Sequence, residues 1–164
     1  MIDFQLKRLL EAAPYELTLV GDGFVFVTSQ GTHYRVSFGK EDMILGGCLV
    51  YQLILQRAEN NVGGYDPNIE KTVLAIIDEF FRANSHVLLY ICDTSDGKED
   101  GRNRLFLRWF DRHVEPGRFT IRTAHAIVEE ETIYAAIIVD NKNPQKDQII
   151  ADFDQEAALL TQKP

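Results

Sequence analysis

Carboxylates cluster directly after an apolar stretch near the middle of the chain. Asp93, Asp96, Glu99 and Asp100 follow residues 87–92, and such oxygens are the ligands that Mg²⁺ prefers. One hypothesis is therefore a metal-dependent phosphoryl or nucleotide enzyme at the Asp93 turn. However, Asp96-x-x-Glu99 also has the spacing of a capping box, which stabilises a helix start without any metal. Because Asp93-x-x-Asp96 departs from the Asp-x-Asp of phosphate-transfer enzymes, we favour the cap and predict no metal site.

Arginines follow these carboxylates in the predicted helix. Arg104, Arg108 and Arg112 recur every four residues and share one face, while Arg102 lies near the helix start and can point toward the turn. Guanidinium groups bind phosphates or carboxylates through two parallel hydrogen bonds. The same spacing is explained by a solvent-exposed row of arginines that pair with neighbouring acidic side chains, including those of the 129–131 turn. We favour this explanation over a binding site. If this region is a binding surface, we expect its ligand or partner contacts from Asp93, Ser95, Asp96, Arg102, Arg104 and Arg108.

A complete catalytic signature is missing from the sequence. Ser95 has no G-x-S-x-G elbow around it, and Cys92 lies in an apolar stretch that predicts a buried thiol. The histidines, His33, His86, His113 and His125, lack the spacing of metal ligands. The catalytic residues are thus unknown, and the sequence favours binding over catalysis.

Composition limits the classes of partner and the compartment. The 164 residues are 45% hydrophobic and 26% charged, which suits a single domain over residues 1–164. A formal net charge of −8 makes this an acidic protein and argues against binding to nucleic acid. Two cysteines in apolar stretches predict reduced, buried thiols. The N-terminus lacks the apolar core of a signal peptide, and no run is long enough to span a membrane, so we expect a cytoplasmic protein without membrane contact.

The elements that would position this turn are predicted from hydrophobic periodicity. A short helix before Pro14 precedes three β runs that form a meander, and a polar connector, Gly39 to Asp42, leads to a strand over 49–57. Asp66 and Pro67 start a crossover helix that leads to a central strand over 87–92. The helix after the turn is predicted to bury Leu105, Phe106, Trp109 and Phe110. Two strands joined at 129–131 then form a hairpin, and Asn143-Pro144 starts a last helix.

This order predicts an α/β (α+β) fold: a β-meander, a β-α-β-α unit, a β-hairpin and a C-terminal helix. We expect one mixed, largely antiparallel sheet of about six to seven strands with helices on both faces. The order resembles the acetyltransferases of the GNAT superfamily. That resemblance implies acetyl-CoA as a possible ligand, with its pyrophosphate held before the crossover helix. The glycine pair Gly63-Gly64 does not have that superfamily's motif spacing, and an aspartate capping the same helix would repel a pyrophosphate.

A second resemblance is carried by a specific string. The run LYICDTSDG from Leu89 to Gly97, followed by RNRLF from Arg102 and by Arg108-Trp109-Phe110, is similar to the hallmark of an uncharacterised family of small bacterial proteins, a domain of unknown function. The resemblance covers the region from about Tyr51 to Leu160 and implies no biochemical role.

Three hypotheses about function follow. The first is a binding or interaction domain without catalytic activity, in which the Asp93–Asp96 turn and the Arg102–Arg112 helix face contact an unknown protein partner or a small anionic ligand. The second is a divergent acyl-CoA-binding protein or acyltransferase, and the third is the metal-dependent enzyme. No cofactor is predicted under the first hypothesis. The oligomeric state is open, and the aromatic residues near the central helix would also suit a homodimer interface.

Overall fold

A computed structural model describes residues 6–21, 23–57, 66–92, 108–110, 112–128 and 131–162 of the 164-residue chain. Its helices are α1 (Leu6–Ala12), α2 (Pro67–Ala83) and α3 (Lys146–Gln162), with a further helical segment over residues 108–110 and 112–113. Its strands are β1 (Thr18–Val20), β2 (Gly23–Val27), β3 (His33–Leu45), β4 (Cys48–Arg57), β5 (Val87–Cys92), β6 (Phe119–Val128) and β7 (Glu131–Asp140). Of the helices in these ranges, none combines the length and the apolar character that crossing a membrane requires.

The seven strands form one mixed sheet in the order β1-β2-β3-β4-β5-β7-β6. β5 pairs parallel with β4, from Val50 opposite Val87 to Gln52 opposite Leu89, and antiparallel with β7 on its other side. The predicted α+β class, the mixed and largely antiparallel sheet and the interior position of β5 are thereby confirmed.

The chain divides into two compact units. One is formed by the described parts of Met1–Gly39 and Leu53–Asn84, the other by those of Lys40–Gln52 and Ser85–Pro164. The single domain expected from length stays a prediction, because compactness alone does not say whether either unit folds by itself.

The first unit packs one face of β2 and β3 against α2. The Phe38 and Phe80 rings stack with their centroids 5.0 Å apart, and the Phe26 ring stacks on those of Tyr15 and Tyr34. The side chains of this core alternate along the strands and recur with helical spacing on α2, as burial of one strand face and one helix stripe requires. Its buried residues include Phe24, Phe26, Val36, Phe38, Val73, Ile76, Ile77 and Phe80.

The second unit packs α3 against one face of β5, β7 and β6. Ile149 and Phe153 of α3 are buried there, four residues apart and so on one face of the helix. Asn143 makes the same side-chain contact at the start of this helix as Asp66 makes at the start of α2. Its side chain accepts a hydrogen bond from the Gln145 backbone N–H at 2.9 Å, and α3 begins at Lys146. The core of this unit consists of Leu45, Val50, Val87, Leu89, Ile137, Val139, Ile149 and Phe153.

One boundary prediction was wrong. The polar connector expected at Gly39 to Asp42 lies inside β3, which continues to Leu45. From Lys40 to Leu45 exposed residues alternate with more buried ones, so the polar side chains belong to a half-buried strand. The chain reverses instead at Gly46 and Gly47, whose φ angles of 56° and 76° suit a two-residue hairpin turn.

Candidate functional site

The predicted site begins directly after β5. Its residues Asp93, Ser95, Asp96, Arg102 and Arg104 lie outside the described residues, as do the other carboxylates of the turn, Glu99 and Asp100. Arg108 is described and exposed. The surroundings of this predicted site are therefore built from the end of β5, the strands beside it and the helical segment that contains Arg108.

Strand register places three aromatic side chains on one face of the sheet at this end of β5. Tyr134 lies opposite His125, and Tyr90 lies opposite Ala136, two residues along β7 from Tyr134. Directly opposed residues, and residues two apart on one strand, project from the same face. The His125 and Tyr134 rings are 6.0 Å apart with a 37° tilt. His125 is exposed, whereas Tyr90 and Tyr134 are half-buried, so this face offers stacking and hydrogen-bonding groups to a ligand.

The helical segment is fixed by two buried aromatic side chains. Trp109 is 8% exposed and Phe110 is 4% exposed, which confirms the prediction that Trp109 is a core residue. The Phe110 ring contacts the Phe119 ring edge-on at a centroid distance of 6.0 Å. Because Trp109 and Phe110 point inward, Arg108 and Arg112 project outward and both are exposed.

A third arginine lies at the start of β6, the end of that strand farther from His125. The Arg118 guanidinium lies 4.8 Å from the centroid of the Phe119 ring, a geometry in which the ring face attracts the cation. Since Phe119 also contacts Phe110, Arg118 lies beside the helical segment. Phe119 and His125 have odd numbers on the same strand and therefore share a face. That face of β6 thus carries Arg118 stacked on Phe119 at one end and His125 with Tyr134 at the other.

The opposite face of β6 carries a paired arginine. The Arg122 guanidinium donates two hydrogen bonds to the Asp154 carboxylate of α3, at 2.9 and 2.8 Å. The hydrogen bond and the charge of Asp154 raise the pKa of Arg122 above its ordinary value. This arginine stays charged and links α3 to β6, so we do not count it among the ligand-binding candidates.

The N-terminus of α2 is where the acetyltransferase resemblance would put a pyrophosphate. As predicted, Asp66 is the N-cap and Pro67 is the first helical residue. The Asp66 carboxylate accepts a hydrogen bond from the Asn68 backbone N–H at 2.9 Å and another from the Tyr15 hydroxyl. A carboxylate already bonded to the first turn repels a second anion, so this helix start does not suit a pyrophosphate.

Removing this cap should destabilise the protein. We expect Asp66→Ala to lower the free energy of unfolding by about 0.5–2 kcal/mol, because the first-turn N–H loses its acceptor. Lys71→Ala, a change at an exposed position of the same helix that leaves Asp66 in place, is the control. Urea unfolding followed by circular dichroism measures both, and equal stability of Asp66→Ala and the wild-type protein would contradict the capping role.

Sequence reasoning missed His125 and Tyr134 near the end of β5, and it missed Arg118 at the start of β6. The signal was available in part, because a hairpin was expected here. Its register is one position away from that of the predicted 129–131 turn: Val128 lies opposite Glu131, which places His125 opposite Tyr134. The position of Tyr90 beside them depends on the pairing of β5 with β7, which joins residues far apart in sequence. Within the described ranges, no three His, Cys, Asp or Glu side chains lie close enough together to hold a metal ion.

Comparison with known proteins agrees with one of the two resemblances. Curated proteins and solved structures give no match to the chain. The sequence profile of a family of unknown function, DUF6169, matches residues 65–155, a range that contains the string from Leu89 to Phe110 and lies inside the region expected from it. Because this match covers more than half of the 164 residues, the chain belongs to the family of unknown function DUF6169.

Proposed function

We propose that this protein is a binding domain without catalytic activity, whose contact surface consists of the Asp93–Asp96 turn and the Arg102–Arg112 helix face. The observation that carries this proposal is the orientation of the helical segment. Trp109 and Phe110 are buried while Arg108 and Arg112 are exposed. A helix anchored by its aromatic residues holds its arginines outward on an ordered backbone, so binding does not have to order that backbone. Arginine beside aromatic residues is also the composition enriched at protein interfaces.

The position of the surface supports the same proposal. β5 is an interior strand, and the predicted turn follows its C-terminal end, where ligands collect in open α/β sheets. Tyr90 and Tyr134 are half-buried on the sheet face at this end. A rigid strand end presents these side chains in a preorganised arrangement, which is what specific binding needs.

Charge reversal on the helix face tests this proposal. Arg108→Glu with Arg112→Glu should abolish the co-purification of a protein partner from a lysate of the source cells, because both guanidinium groups become carboxylates at the contact. The control variant, Lys7→Glu with Lys71→Glu, makes the same change in net charge at two exposed positions on α1 and α2 and should retain the partner. Circular dichroism confirms that both variants fold.

Two outcomes would overturn the proposal. One is a partner retained equally by both variants, which would put the contact elsewhere. The other is a saturable rise in the unfolding temperature with acetyl-CoA, since a ligand that binds only the folded state stabilises it by mass action. A rise that adenine alone does not produce would favour the acyl-CoA-binding alternative.

A further inference from the structure

From the charges and the strand order of the second unit, we infer that the partner is an acidic polypeptide, bound in extended conformation along β6 with its carboxylates on the arginines beside that strand. This inference rests on the proposed function and names the class of partner. Three observations support it: the positive charge of one stretch of sequence, the side chains along β6, and the position of β6 at the edge of the sheet.

Charge is distributed unevenly along the chain. Residues 102–125 contain six arginines and only two acidic residues, Asp111 and Glu115, so this stretch has a formal charge of +4 in a chain of net charge −8. Arg122 is paired with Asp154, and without it the stretch still has a formal charge of +3. The remaining residues are strongly acidic. A cationic stretch in an acidic protein attracts a polyanion locally, whereas the rest of the surface repels it, so a docked acidic chain is confined to this stretch.

The described side chains of this stretch line a path along β6. Arg108 and Arg112 are exposed on the helical segment, and Arg118 lies on the Phe119 ring at the start of the strand. Thr123 and His125 are exposed further along the same face. Phe119 and His125 are six residues apart, which is roughly 20 Å along a strand. The path is therefore long enough for several residues of an extended chain.

The backbone of β6 favours a polypeptide over other anions. All ten residues of β6 pair with β7 on one side, and β6 is the last strand in the sheet order, so no other described strand lies on its outer side. An edge strand presents backbone N–H and C=O groups that an added strand can pair with. A small anion would use only the guanidinium groups. A nucleic acid would extend past the cationic stretch into the acidic surface.

The test uses the full chain and two capped peptides, each long enough to span β6. One alternates Glu and Thr, and the other alternates Lys and Thr. By fluorescence anisotropy at low salt, the Glu peptide should bind at least about tenfold more tightly than the Lys peptide, and its affinity should fall as salt is added. Arg108→Glu with Arg112→Glu should weaken its binding by about tenfold or more, while Lys7→Glu with Lys71→Glu should leave the affinity unchanged.

Amide hydrogen exchange tests the strand addition separately. Bound Glu peptide should slow exchange in β6 and leave exchange in the other edge strand, β1, unchanged, because only β6 acquires new backbone hydrogen bonds. Binding without protection of β6, or equally tight binding of single-stranded poly(dT), would overturn the inference. So would failure of the Glu peptide to bind while the co-purified partner is still lost on reversal of Arg108 and Arg112. In that last case the proposed binding function stands and only the acidic partner fails.

Discussion

Gly46→Ala should lower the free energy of unfolding of this protein by about 2–5 kcal/mol. Gly46 has a φ of 56°, where a side chain costs about 1–2 kcal/mol. A Cβ atom at this position would also lie 2.7 Å from Ile149 Cγ1 and 2.9 Å from the Ile149 backbone nitrogen. Relieving such contacts costs about 1–3 kcal/mol in a packed core. The Gly46 N–H donates a 2.8 Å hydrogen bond to the Asp152 carboxylate, so the β3–β4 turn cannot move away from α3 without losing that bond.

Gly47→Ala is the matched control for this change. Gly47 has a φ of 76°, but, its two chain neighbours apart, no atom of the described residues lies within 4 Å of the position its Cβ would take. Its substitution should therefore cost only the conformational term, about 1–2 kcal/mol. Urea unfolding followed by the fluorescence of Trp109, the single tryptophan, measures both in the unit that contains them. Equal losses of unfolding free energy at the two glycines would show that the contact with Ile149 adds no cost to a side chain at position 46.

Phe80→Ala should cost about 3–5 kcal/mol, the usual loss when a buried phenylalanine leaves a cavity. Phe80 is 0% exposed. Its ring stacks on Phe38 at 5.0 Å and meets Phe81 edge-on at 5.1 Å, so the change removes contacts on two sides of one ring. Urea unfolding followed by far-ultraviolet circular dichroism measures the loss.

Two further substitutions bracket the effect of Phe80→Ala. Phe80→Leu fills most of the volume and should cost less than Phe80→Ala. Leu10→Ala removes a side chain that is 48% exposed and should change stability by about 0.5 kcal/mol or less. A loss at Phe80 no larger than that at Leu10 would mean that the α2 aromatic cluster does not support the fold.

The elements predicted correctly from sequence are those governed by local chemistry. Asp66 and Pro67 start α2 because a carboxylate cap and a fixed φ act within one turn. Trp109 is buried because the helical period places it on the apolar face of its helix. The connector expected at Gly39 to Asp42 failed for a related reason. Polar residues in a half-buried strand have the composition of a loop, and only their alternation distinguishes the two.

The candidate site was predictable only in part, because it depends on register between distant strands. Arg108 was expected on the outer face of its helix, and it is exposed. The neighbourhood of Tyr90, Tyr134 and His125 follows from β7 lying between β5 and β6, and no local pattern encodes that order. Asp93, Ser95, Asp96, Arg102 and Arg104 lie outside the described residues, so their role stays a prediction.

The insertion of β7 between β5 and β6 also constrains how the chain assembles as it leaves the ribosome. β6 is synthesised before β7, yet β7 is the strand with which it pairs. β5 is synthesised earlier still, and its antiparallel partners on β7 lie 42 to 50 residues downstream. Neither β5 nor β6 can pair with β7 until residues 131–140 have been synthesised. Long-range pairing such as that of β5 with β7 is slow compared with the closure of a hairpin. Translation past β7 is the event that lets this side of the sheet close.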